Sequence, residues 1–152
     1  MPSKLTSTSV TESAVINAPV SKVWRMVQLK NFQNFFVDIN KTEILPSEDL
    51  QKEVIRWTFD DGTVLDVREE EYSNIKKYMS FHIVQCQPYG LPYTGVLTTI
   101  RLYPITSRAA EGGTFVQWSG HYTADANEEV IADGHIKRRE ALGLLANAVE
   151  KS

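Results

Sequence analysis

The sequence predicts an α+β fold in which one curved, seven-stranded antiparallel sheet wraps around a long C-terminal helix, with two short helices after the first strand. Three observations point there. From Ile39 onward the apolar residues recur with period 2, as half-buried strands require. The segments between those strands are short and rich in turn residues, so neighbouring strands must run antiparallel; a parallel pair needs a crossover of about a dozen residues or more. After Asn127 the spacing becomes helical and stays so to Val149 without a proline.

Taken in order, residues 1–7 form a polar lead-in expected to be flexible, and a single domain is expected over 8–150. Residues 8–17 alternate weakly, with Val10, Ala14, Val15 and Ile16, and read as the first strand. It ends at Asn17-Ala18-Pro19. Proline fixes φ and lacks an amide donor, which the first turn of a helix tolerates. Val20, Val23, Trp24 and Val27 follow at helical spacing, and Asn31 to Phe36 reads as a second brief helix with Phe32, Phe35 and Phe36 on one side. The remaining strands are expected at 39–45, 51–59, 63–73, 77–86, 95–104 and 113–124. Pro46-Ser47-Glu48-Asp49, Asp60-Asp61-Gly62, Ser73-Asn74, Gln87 to Gly95 and Glu111-Gly112-Gly113 punctuate them. Asn127 can cap the last helix, and Glu128 and Glu129 suit its dipole. A helix of about 22 residues is about 33 Å long, enough to cross a sheet.

Composition narrows the function. The chain has 152 residues, 42% of them hydrophobic and 23% charged, which is ordinary for a globular domain. Its formal charge is −3, and the densest basic group, Lys137-Arg138-Arg139, is flanked by Asp133 and Glu140. Binding phosphates needs a basic face that releases counterions, so no nucleic-acid partner is expected. Cys86 is the only cysteine, which rules out an intrachain disulfide and reads as an unreactive structural thiol. Met1 to Val10 has no apolar signal core, and no apolar run approaches the ~20 residues of a membrane span. The expectation is a cytoplasmic chain, a monomer or weak homodimer, without stable membrane insertion. His82, His121 and His135 sit on different elements without metal-ligand spacing, and no glycine-rich loop leads from strand to helix. Neither a metal nor another cofactor is expected.

Several stretches carry a further signal in combination. They are Val15-Ile16-Asn17-Ala18-Pro19 leading to Val23-Trp24, Arg56 followed by Asp61-Gly62-Thr63-Val64, and Tyr78 to Val84. Leu91 to Gly95 ahead of Thr99-Ile100-Arg101, and Gly112 to Gly120 before the closing helix, complete the set. With the order of elements, they resemble the SRPBCC (START/Bet v 1-like) superfamily, and within it the polyketide cyclase/dehydrase and lipid-transport group. The resemblance covers residues 8–150. It implies a helix-grip fold with an internal cavity between sheet and C-terminal helix. That superfamily includes carriers, hormone receptors, cyclases, aromatases and isomerases, so architecture alone does not choose the activity.

Alternation assigns side chains to the concave face. Val116, Trp118, Gly120 and Tyr122 point inward, as do Met79, Phe81 and Ile83, and Val96, Thr98, Ile100 and Leu102. Leu65 and Val67 follow, and the same phase brings Glu69 with them. Strand 51–59 stays open: apolarity favours Trp57 inside, whereas the resemblance marks Arg56. On the last helix Ile131, Gly134, His135, Arg138, Leu142, Leu145 and Val149 share a stripe. Its N-terminal half sets a small residue beside two polar ones, which suits a helix bordering a cavity. Arg138 can equally send its charge to solvent along an apolar stem. The segment Gln87 to Gly95 is long for a hairpin; it is either a gate using Tyr89, Leu91 and Tyr93 or a rigid surface loop.

The first functional expectation is a carrier or sensor that binds a small hydrophobic molecule. Its ligand contacts would be Leu65, Val67, Met79, Phe81, Tyr93, Thr98, Ile100, Trp118, Tyr122 and Arg138. The alternative is a cyclase, dehydratase or isomerase without metal or nucleotide cofactor. There Glu69 or His135 would remove a proton, and Arg138 or Tyr122 would stabilise the oxyanion. A third reading is an interaction module with a filled core, its contact marked by the outward Tyr103 and Phe115.

Overall fold

In the computed structural model, which describes residues 8–46 and 53–151, the period-2 segments are strands almost residue for residue. The strands are β1 (Ser9–Ile16), β2 (Ile39–Leu45), β3 (Val54–Phe59), β4 (Val64–Ser73), β5 (Tyr78–Gln87), β6 (Val96–Pro104) and β7 (Thr114–Tyr122). They form one antiparallel seven-stranded sheet in the order β1-β7-β6-β5-β4-β3-β2. Helix α1 (Val20–Met26) and a 3₁₀ helix, η1 (Leu29–Asn34), link β1 to β2, and α2 (Glu128–Lys151) closes the chain. The expected lead-in 1–7, the turn residues Ser47 to Asp49 and the first two positions of the expected strand 51–59 lie outside the described residues.

The second short helix differs from expectation in type and place. It is 3₁₀ and begins two residues before Asn31, at Leu29. The amides of Phe35 and Phe36 both donate to the Phe32 carbonyl, which turns the chain sharply into β2. That turn drives Phe32 and Phe35 into the core, each 2% exposed.

Strand β3 settles the question left open by its sequence. Ile55 and Trp57 are buried on the concave face, and the Trp57 indole N–H donates to the Leu29 carbonyl at 2.9 Å, fastening η1 to the sheet. Arg56 therefore points to the convex face, where Asp66 stands opposite it on β4. Its Nε and Nη2 reach the two carboxylate oxygens at 2.7 and 2.9 Å. This fork-to-fork pairing is the strongest geometry open to an arginine and a carboxylate, and it explains why Asp66 is only 5% exposed.

Pairing of β4 with β5 shifts register twice, between Asp66 and Val67 and between Glu69 and Glu71. Each extra residue bends the strand and tightens the local twist. Past the second bulge the inward phase resumes at Tyr72, opposite Met79, and Tyr72 packs on Trp24 of α1 at 5.3 Å between ring centroids. The core is strongly aromatic at this end. Phe32 stacks on Trp57 at 4.7 Å and meets Phe81 and Trp118 edge-on.

Helix α2 begins where Asn127 accepts the Val130 amide at 3.0 Å, as a capping side chain should. It packs chiefly on β1, β7 and α1. It buries Val130, Gly134, Arg138, Ala141, Leu142, Leu145 and Val149. The concave sides of β4 and β5 are less completely covered: Leu65, Ile83 and Cys86 stay partly exposed although they share the inward phase. Part of the concave face of β4 and β5 is thus left open beside α2.

Candidate functional site

Arg138 is a charged residue of α2 buried against the sheet. It is 8% exposed, and its guanidinium lies against β7. Nη1 donates to the Tyr122 hydroxyl at 2.8 Å and to the Gly134 carbonyl at 3.1 Å; Nη2 donates to the Thr98 hydroxyl at 3.3 Å. Nε is buried without a partner among the described residues. Two glycines make the room. A Cβ at Gly120 would overlap the Nη2 atom, and one at Gly134 would stand 2.5 Å from the Tyr122 hydroxyl. Side chains at those positions would evict the polar pair.

This polar layer divides the apolar interior in two. Beyond it lies a satellite cluster of Val10, Val96, Tyr122, Ala126 and Val130, with Ile83, Tyr93 and Ile131 packed alongside. Tyr93 arrives from the segment between β5 and β6 and meets Tyr122 edge-on at 5.1 Å. Burial, together with the Tyr122 phenol beside it, pushes the Tyr93 hydroxyl up to about 12, so it is neutral at physiological pH. The gate candidates thus separate: Tyr93 covers the polar layer, Leu91 is half-buried, and Tyr89 is 83% exposed.

The four residues weighed for acid/base chemistry do not share one space. Arg138 and Tyr122 are together. His135 points to the sheet edge, where its Nδ1 lies 2.6 Å from Glu12 of β1, and Arg139 reaches the other Glu12 oxygen at 2.8 Å. Glu69 faces inward as its phase requires, opposite Phe81. It opens into a polar hollow of about 220 Å³ with Gln28, Lys30, Glu53 and Tyr72, between η1 and β4. A second hollow, of about 270 Å³, lies on the convex side around His82, Leu97 and His121. Of the remaining sequence candidates, Val67, Met79 and Ile100 are wholly buried in the main core, Phe81 and Trp118 nearly so, Leu65 is partly exposed, and Thr98 is buried against Arg138. Glu12 escaped the sequence reading, although it stands in the inward phase of β1 with Val10, Ala14 and Ile16. A carboxylate in an apolar row is a signal for a basic partner, and here His135 and Arg139 of α2 supply it.

Burial and the neighbouring Glu53 carboxylate raise Glu69, and Lys30 offsets part of this. A raised folded-state value means that the unfolded chain releases this proton first. Stability is then lost as pH rises from the ordinary glutamate value near 4.5 through the raised one. Glu69→Gln is therefore expected to raise the melting temperature slightly at pH 7 and leave it unchanged at pH 4. Thermal melts at both values check this; a less stable variant at pH 7 would show that Lys30 outweighs the burial.

Comparison with known proteins places this geometry. Residues 7–150 match the family described as polyketide cyclase / dehydrase and lipid transport, and the chain belongs to that family, within the SRPBCC superfamily. Among solved structures, an uncharacterized Bacillus thuringiensis protein aligns with 23% identity and a TM-score of 0.76, over 93% of this chain and 98% of its own. The XoxI protein of Bacillus cereus aligns with 22% identity and a TM-score of 0.76, over 93% and 95%. Ara h 8.0201 aligns with 18% identity and a TM-score of 0.72, over 95% and 98%, as the Bet v 1-like helix-grip fold predicts. No curated protein matches the sequence. Among the described residues no helix is long and apolar enough to cross a membrane.

Proposed function

We propose that the protein binds a small, largely apolar molecule in the cleft between α2 and the concave side of β4 and β5, as a carrier or sensor. The observation that carries this reading is the row Leu65, Ile83 and Cys86. These side chains point to the interior yet stay partly exposed, because α2 sits over β1 and β7. Apolar surface left open on an otherwise packed face is where a ligand gains most from leaving water, at about 25 cal/mol per Å². Membership of a family described by cyclase, dehydrase and lipid-transport functions agrees with it.

Acid/base catalysis has less support. The candidate bases stand apart from the Arg138–Tyr122 pair, with His135 engaged by Glu12 and Glu69 in a separate hollow. A general base must come within hydrogen-bond reach of the proton it removes.

A thermal-shift screen of neutral and charged apolar compounds tests the proposal. A ligand present at a hundred times its Kd stabilises the native state by about 2.7 kcal/mol, or about 5–10 °C in a domain of this size. Leu65→Glu, which sets a charge in the cleft, is expected to abolish the shift while the protein still melts cooperatively. If no apolar compound shifts the transition, or the shift survives Leu65→Glu, this cleft is not the site.

A further inference from the structure

We infer that the molecule held in this cleft carries a carboxylate, and that Arg138, Tyr122 and Thr98 are its receptor. The inference rests on the binding proposal above and goes one step further, to the chemistry of the ligand's head.

Charge is the first argument. Among the described residues no carboxylate pairs with Arg138: its three hydrogen bonds all go to uncharged oxygens. The acidic groups nearby on the fold are committed elsewhere, Glu12 to His135 and Arg139, and Asp133 to Lys137. A guanidinium cannot shed its proton to escape the cost of burial. It needs an anion, and the described residues supply none at that position.

The second argument counts protons. The Tyr122 and Thr98 hydroxyls both accept from Arg138, and among the described residues neither has a hydrogen bond in which it donates. Arg138 Nε–H is unspent as well. Donors outnumber acceptors there: the two hydroxyl protons, Nε–H and the second Nη2 proton stand against one remaining lone pair on each hydroxyl, which favours a group that only accepts. An ionised carboxylate is such a group, and its two oxygens suit the arginine fork. An alcohol, ketone or hydrocarbon end would leave either the charge or the donors unanswered.

The third argument is the setting. The receptor lies between two apolar clusters, so the low local polarity strengthens each contact. Gly120 and Gly134 keep the guanidinium and phenol from being pushed aside. Tyr93 closes over Tyr122, and Thr94 beside it is held by two hydrogen bonds to Asp125, while Tyr89, Gly90 and Pro92 of the same segment stay exposed. The tail would then run along Leu65, Ile83 and Cys86.

Matched probes decide the matter. Binding of dodecanoate and dodecanol, and of 2-naphthoate and 2-naphthalenemethanol, is measured by calorimetry at pH 7.5 for the full chain and for Arg138→Met, Tyr122→Phe and Thr98→Val. The expected result is an acid bound about ten- to a hundredfold more tightly than its alcohol, the range of a charge-assisted hydrogen bond. Arg138→Met should erase that preference and keep the alcohol's affinity. Tyr122→Phe and Thr98→Val should each reduce it, and these two keep the inference testable should Arg138→Met not fold. Equal affinity for acid and alcohol in the unaltered protein overturns the carboxylate receptor and leaves the apolar cleft standing. A preference that survives all three substitutions overturns it too. Failure of every probe to bind removes the cleft proposal, and the receptor with it.

Discussion

Phe32→Ala is expected to destabilise the protein by about 3–5 kcal/mol, the range for emptying a packed aromatic site. Phe32 is 2% exposed and lies at the meeting point of elements distant in sequence. It stacks on Trp57 of β3, meets Phe81 of β5 and Trp118 of β7 edge-on, and touches Phe35 at 4.8 Å. Rings so arranged contribute about 0.5–1.5 kcal/mol per pair beyond the area they bury, and the surrounding indoles are too large to collapse into the void. η1 would also lose its largest apolar anchor, leaving the buried Leu29 side chain and the Trp57 N–H bond to the Leu29 carbonyl to hold it. Urea denaturation followed by tryptophan fluorescence measures the loss. A cost below about 1.5 kcal/mol would mean that η1 can shift to refill the space.

The same residues show what the sequence could reveal. The meander from β2 to β7, the strand faces and the capped final helix follow from period and punctuation, because a strand buried on one face must alternate and a slip of one residue would expose its whole core row; the place of β1 beside β7 does not. Val116, Trp118, Gly120 and Tyr122 face inward together for that reason. Periodicity failed where both rows were apolar enough, as in β3, and there a pairing decided the outcome. Arg56 faces outward because Asp66 lies across from it on the next strand, which no local pattern within β3 can contain. The stripe on α2 is polar in its N-terminal half, but a stripe is broad. His135 and Arg138 lie on it three residues apart, and the sheet beneath them differs: Glu12 of β1 under one, Gly120 of β7 under the other. Glu69 was found by phase alone. It opens into the hollow that η1 and β4 line together, and those segments lie far apart in the chain.

Arg138→Met is expected to make the unliganded protein more stable, by about 1–3 kcal/mol, the gain seen when buried charges are replaced by apolar side chains of similar volume. The substitution removes a desolvated cation that has no counterion among the described residues. Methionine is unbranched and adaptable enough to fill the slot beside Gly120. What is lost is modest. The Gly134 carbonyl is part of the helical ladder and keeps its amide partner, while the Tyr122 and Thr98 hydroxyls give up a donor and keep protons of their own. The cation over the Tyr122 ring, at 5.4 Å, contributes attraction that the thioether replaces only in part. For a chain of 152 residues the gain corresponds to about 2–4 °C in Tm per kcal/mol, read by calorimetry without ligand. A variant less stable than the parent by more than about 1 kcal/mol would mark Arg138 as a structural clamp between α2 and β7. The expected result points the other way, because a residue that weakens the empty fold and remains buried in it is explained by what it holds when the cleft is filled.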